Sequence, residues 1–345
     1  MRRVLPLCCL LTVACHSFAQ DYLLIPWGGG GDPRGMSWGM YDAFDGRYLG
    51  DLIESDPVTF EVPHSAAQGP DGLIYITDQV ESYVLRYDLD GNYVDTFLDA
   101  SDGLDNIRGL AFLGDDLLVC NAPALGLGVI DYSKSGILRF DSEGAVVAEI
   151  GRGTATWDLE VTSDGYIIAD AEPAAMAPQD MRFYAPDGSI HATPFRTLFA
   201  VQTTTAADDT YWNLNFDGFL TRFDADGVIS RRLLPVAPSA GRGVYPLGNG
   251  QLLVTTFSSG VFVFDPDTGG RTATIRVGYG FGTITPISES CLPDLDGDGS
   301  LTIFDFLMFF NLFDDRDLVA DFDGDGEFTI FDFLAFQNAF GAGCA

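Results

Sequence analysis

The chain has one lysine, Lys134, and its 18 basic side chains face 50 acidic ones, giving a formal charge of −32 over 345 residues. So few cations exclude a nucleic-acid binder that works by neutralising phosphates, which needs a basic face. They also argue against docking on anionic lipid. Histidine is nearly as scarce. Beyond His16 near the N-terminus only His64 and His191 occur, so a multi-histidine metal centre within one chain is excluded. No P-loop, dinucleotide fingerprint or activated-nucleophile pattern is present. No apolar run is long enough to span a membrane as a helix.

What is there reads as an exported, mainly β protein. Hydrophobic residues make up 47% and charged residues 20%, enough for a sizeable core. Forty glycines imply many tight turns. Arg2 and Arg3 precede an apolar run from Val4 to Ala14, and Ser17 and Ala19 are small where a signal peptidase reads, so residues 1–19 read as a signal peptide cleaved near Ala19. The alternative is a lipoprotein anchored on Cys15, disfavoured by Thr12 where a bulky aliphatic residue is wanted. Secretion or a cell-surface location follows, where disulfides are permitted. Cys120, in the apolar run from Leu117 to Cys120, reads as a buried free thiol.

Between residues 20 and 287 one unit recurs. Its hairpin is Arg86-Tyr87-Asp88-Leu89-Asp90-Gly91, echoed at Arg139–Gly144, Arg182–Gly188, Arg222–Gly227 and Val263–Gly269, with a partial copy at Gly39–Gly46. Each is strand, turn, strand. The turn glycines Gly46, Gly91, Gly144, Gly188, Gly227 and Gly269 are separated by 45, 53, 44, 39 and 42 residues, the period of propeller blades. Six hairpins predict a six-bladed β-propeller; an insertion around Pro123–Lys134 leaves seven open. The first unit lacks a leading strand and the last is followed by a spare one, Phe281–Ile287, which would close the ring. The repeat resembles NHL-type and gluconolactonase-like propellers over residues 22–287.

Propeller ligands sit at the mouth of the channel lined by innermost strands. Aligning those strands on their following turns places His64, Arg108, Trp157, Val201 and Arg242 seven residues upstream, and Ser65, Gly109, Asp158, Gln202 and Gly243 six upstream. One ring of His64, Arg108, Asp158, Gln202 and Arg242 is therefore predicted. Its guanidinium groups suit a small anionic or sugar ligand. The bland alternative has the arginines paired with Asp105 and Asp158 merely to fill the channel. Resemblance to lactonase and lyase propellers implies a channel metal, against which two arginines weigh. The propeller thus reads as a binder more than a catalyst, with a gluconolactonase-like hydrolase or lyase as the competing reading.

Residues 288–345 contain a duplication. Residues 294–313 and 321–340 match at 14 of 20 positions. Each copy has the oxygen-ligand spacing of a Ca²⁺ loop: Asp294, Asp296, Asp298, Ser300, Thr302 and Asp305, then Asp321, Asp323, Asp325, Glu327, Thr329 and Asp332. Position 12 is aspartate and no helix precedes either loop. The pair resembles a type I dockerin, nearest to the GC-type dockerin-like module of exported planctomycete proteins. Two Ca²⁺ ions, and a cohesin-like or other envelope partner, are what the resemblance implies. A core stripe is expected at Ile303, Phe306, Leu307, Phe310 and Phe313, mirrored by Ile330, Phe333, Leu334 and Phe340. Phe304, Met308, Leu312 and Phe331 then form a partner surface. Cys291 and Cys344 bracket the module and would close it as a disulfide, unless Cys344 is an attachment point.

Overall fold

The computed structural model describes residues 22–28, 36–54, 60–124, 129–172, 179–197, 200–233, 240–288, 293, 295, 301–322 and 327–342. Residues 1–19, which the sequence reads as a signal peptide, lie outside them. The chain divides into a unit over residues 21–288 and a C-terminal unit over 289–345.

The larger unit is the predicted propeller. Among the described residues 24 strands form six four-stranded antiparallel sheets. Blade one is β1 (Tyr22–Gly28), β2 (Met36–Asp42) and β3 (Tyr48–Ile53), completed on its inner edge by β24 (Thr285–Ile287). Tyr22 pairs with Ile287 and Leu24 with Thr285, so the spare segment at the end of the repeats does close the ring. The other blades follow in sequence order, each starting with its innermost strand: β4 (Pro63–Gln68), β8 (Ile107–Leu113), β12 (Leu159–Val161), β16 (Ala200–Thr205) and β20 (Gly241–Pro246). The insertion after Pro123 adds no blade among the described residues.

The hairpin glycines show why the repeat is spaced as it is. All six take positive φ, from 70° to 84°, as a tight turn demands. Five of them, Gly46, Gly91, Gly144, Gly188 and Gly227, also press on the preceding blade. A Cβ at Gly91 would meet the Leu52 carbonyl oxygen at 2.4 Å, and one at Gly227 would meet Pro194 at 2.0 Å. Turn and blade-to-blade contact therefore demand the same residue. Between blades the strands bury continuous apolar clusters, such as Leu23, Ile25, Tyr41, Leu253 and Val263 across the closing seam. Cys120 is a buried free thiol, and burial pushes its pKa well up.

The C-terminal unit has two helices, α1 (Ile303–Asp315) and α2 (Ile330–Ala342). Phe309 and Phe336 are fully buried and stack at 4.4 Å. Phe306, Leu312, Phe313, Phe333 and Phe340 surround them. The expected stripe is therefore corrected by a rotation of the helix. Ile303, Leu307, Phe310, Ile330 and Leu334 are exposed, and Leu312 belongs to the core. The cause lies at the helix start. Asp305 and Asp332, fully buried, accept hydrogen bonds from the Thr302 and Thr329 amides, both at 2.7 Å, and Asp305 also from Leu295 N at 2.9 Å. With those aspartates turned inward, the residues just before them face out.

Candidate functional site

The innermost strands carry a repeated irregularity. The pairing slips between Pro63 and Ala66, Ile107 and Leu110, Ala200 and Gln202, and Gly241 and Gly243. The residues at each slip are His64-Ser65, Arg108-Gly109, Val201 and Arg242. A bulge breaks the strict alternation of side chains and re-aims them. In the fourth blade the inner strand is short, and Trp157 and Asp158 lie just before it.

These slips divide the predicted ring in two. Of the residues seven upstream of the turn, His64, Trp157, Val201 and Arg242 meet Phe257 and Phe281 at one cavity of 260 Å³, while Arg108 stacks on the Trp157 ring without lining it. Those six upstream, Ser65, Asp158 and Gln202, line a second cavity of 300 Å³ further along the inner strands, with Glu160, Thr203 and Thr285. His64 and Arg242 are thus brought together, and Asp158 and Gln202 are not with them.

Asp158 and Gln202 are tied to backbone. Gln202 Nε2 donates to Ile284 O at 2.7 Å, and its Oε1 accepts from Val244 N and Ile284 N, both at 3.0 Å. It joins the fifth blade to the sixth and to the closing segment. Asp158 accepts from Thr203 N at 3.1 Å, and burial raises its pKa well above the carboxylate range. Gly109 and Gly243 make room for them: a Cβ there would lie 2.7 Å from Asp158 Oδ1 and 2.8 Å from Gln202 Oε1. Glu160 accepts from the Thr205 amide at 2.9 Å and is pushed up to about 7 by burial.

The first cavity is cationic and aromatic. Arg108, 3% exposed, stacks its guanidinium 3.8 Å from the Trp157 ring centroid, and its Nε and Nη1 have no hydrogen-bond partner among the described residues. Arg242, half-buried, lies between Phe216 at 5.1 Å and Phe257 at 5.0 Å. Among the described residues no ion pair involves either arginine, so the pairing with Asp105 and Asp158 is not formed. Burial, then the charges of Arg108 and Arg242, push His64 down to about 3, so its ring is neutral at ordinary pH. Trp157 is positioned by Asp170 on β13 (Ile167–Ala171), which accepts the Trp157 amide at 2.9 Å. Burial pushes Asp170 up to about 7. The ring as predicted omitted Trp157 and Phe257; the seven-residue offset already carried Trp157.

The first cavity does not suit a bound cation. Two guanidinium groups repel one at the first cavity. In the second, Asp158 and Glu160 are turned onto the amides of Thr203 and Thr205. Among the described residues no three metal-ligating carboxylate, imidazole or thiol groups converge.

In the C-terminal unit Thr302, Asp305, Asp321, Glu327, Thr329 and Asp332 are described, and Asp294, Asp296, Asp298, Ser300, Asp323, Asp325, Cys291 and Cys344 lie outside the described residues. The hydroxyls of Thr302 and Thr329 accept from Phe304 N and Phe331 N, both at 3.1 Å. Phe304 and Phe331 are 62% and 63% exposed, and Met308 also reaches solvent. No described helix is long and apolar enough to cross a membrane.

No protein-family model and no curated protein matches the chain. Solved structures do. A chain of a nidogen/laminin complex is similar with a TM-score of 0.60 at 13% identity, covering 77% of this chain and 98% of that one. A Bacteroides caccae protein of unknown function gives 0.54 at 15%, covering 78% and 99%. A Xanthomonas campestris gluconolactonase gives 0.53 at 21%, covering 70% and 83%. At these identities the likeness is one of fold alone.

Proposed function

We propose that this chain is an exported binding protein, whose propeller holds a small anion or sugar at the His64, Trp157 and Arg242 mouth and whose C-terminal module binds two Ca²⁺ ions. The observation that carries the propeller half is Arg242 half-buried at a cavity beside Arg108, both outside any ion pair among the described residues. Guanidinium groups left in that state favour an incoming carboxylate, which supplies the missing acceptor.

The C-terminal half rests on the duplicated loops and on the described ends of those loops. Their donors are carboxylate and hydroxyl oxygens, the set a hard cation takes. Asp305 and Asp332 turn back toward the loops rather than out to solvent. Ca²⁺ would neutralise part of an acidic segment, because residues 291–345 carry twelve acids and one arginine. The module would then attach the propeller to a cohesin-like or other envelope protein through exposed apolar side chains such as Phe304, Met308 and Phe331. The test is cosedimentation of the full chain with an envelope fraction. Retention in Ca²⁺ and release by a chelator are expected; equal recovery in both overturns the anchoring role. The gluconolactonase-like reading has similarity of fold in its favour and the guanidinium-lined mouth against it.

A further inference from the structure

We infer that the ligand of the first cavity is a small carboxylate with an aromatic or otherwise apolar body, and not a sugar acid. This rests on the anion-binding reading above and narrows it. The inference comes from counting what the cavity wall offers. A sugar presents a hydroxyl on nearly every carbon, and each one that leaves water needs a partner. The described wall supplies few. Gln79 is committed, donating through Nε2 to Asn106 Oδ1 at 2.8 Å. Thr283 is committed, donating through Oγ1 to His64 O at 3.0 Å. His64 is uncharged, and its Nδ1 is buried within the wall.

Arg242 is then the one charged group on the described wall, and among the described residues it makes a single hydrogen bond, from Nη1 to Gly241 O at 3.3 Å. The other side chains are apolar or aromatic, Trp157, Phe257 and Phe281 foremost, with Pro63, Gly280 and Gly282 between them; the Trp157 indole N–H is the one further side-chain donor on the described wall. One guanidinium facing an aromatic box selects one anionic head on an apolar body. Arg108, stacked on Trp157, adds positive charge beneath the ring without entering the wall. A 260 Å³ cavity admits a single aromatic ring with a short acidic arm.

The test is calorimetric titration of the full-length protein with four probes: 3-phenylpropionate, its primary amide, cyclohexanecarboxylate and glucuronate. Expected is binding of the two apolar carboxylates, with the amide weaker by about ten- to a hundredfold. Arg242→Gln should lose the difference between acid and amide. Trp157→Leu should weaken both equally, with unchanged circular dichroism showing that each variant is folded. Glucuronate binding as tightly as 3-phenylpropionate would overturn the ligand class and leave an anion site standing. Binding of none of the acids would overturn both the class and the anion-binding reading.

Discussion

The guanidinium carbon of Arg108 lies 3.8 Å from the centroid of Trp157, and two of its three nitrogens have no hydrogen-bond partner among the described residues. A buried cation held by a ring face, with Asp170 and Glu172 acting on it only through their charges and no direct ion pair among the described residues, contributes little to folding once its desolvation is counted. Its value lies in the potential it sets at the mouth. Arg108→Met should therefore leave the unfolding midpoint unchanged or raise it, while weakening carboxylate binding about tenfold. Thermal melts and titrations on the same sample check this. A large fall in the midpoint would instead mark Arg108 as a structural filler.

Gly243 tests the inner staple. A Cβ there would stand 2.8 Å from Gln202 Oε1 and 2.7 Å from Thr255 Oγ1. Gly243→Ala should displace the Gln202 amide from Val244 and Ile284 and cost about 1–3 kcal/mol. The denaturation midpoint would fall, and the closing strand would gain amide-exchange rate. Wild-type stability in this variant would show that the Gln202 contacts are dispensable.

A pH dependence follows from Glu160 and Asp170, both pushed up to about 7 by burial. Unfolded carboxyls titrate near 4. Between those values the folded chain keeps protons that the unfolded chain has released. The contribution is full below the unfolded pKa and is lost as pH rises through the folded one. Stability should therefore decline from about pH 4 to about pH 7. Glu160→Gln, which keeps an acceptor for Thr205, should flatten that slope. Identical slopes for the two proteins would contradict the assignment.

The fold was legible because one residue type met two demands. Asp-Gly hairpins announce a turn, and their recurrence near 40 residues announces blades; the spare Phe281–Ile287 segment announced closure. The site was half legible. Counting back from the turns puts Asp158 and Gln202 at one level, with Gly109 and Gly243 making room for them on either side. The bulges at Arg108 and Arg242 left no mark in composition or periodicity, so two levels were read as one ring. In the C-terminal unit the same limit applied. Ile303 and Phe306 share a helical stripe with Phe310, but the inward turn of Asp305 rotates α1 and puts Phe309 at the centre.

The C-terminal helices should depend on Ca²⁺. Asp305 and Asp332 each hold a helix start and would each be a ligand. A chelator should reduce the helical circular-dichroism signal, and added Ca²⁺ should restore it. Asp332→Ala should weaken Ca²⁺ binding and remove a capping contact worth about 0.5–2 kcal/mol. A helical signal indifferent to both would contradict a Ca²⁺-folded module.

The most direct test is a metal count. The full-length protein should carry two Ca²⁺ ions per chain, and a variant with Asp294, Asp296, Asp321 and Asp323 all changed to alanine should carry none after dialysis, while still binding a carboxylate at Arg242. Elemental analysis of both proteins reads this out. A stoichiometric ion surviving in the variant would place a metal in the propeller channel and contradict an anion-binding mouth.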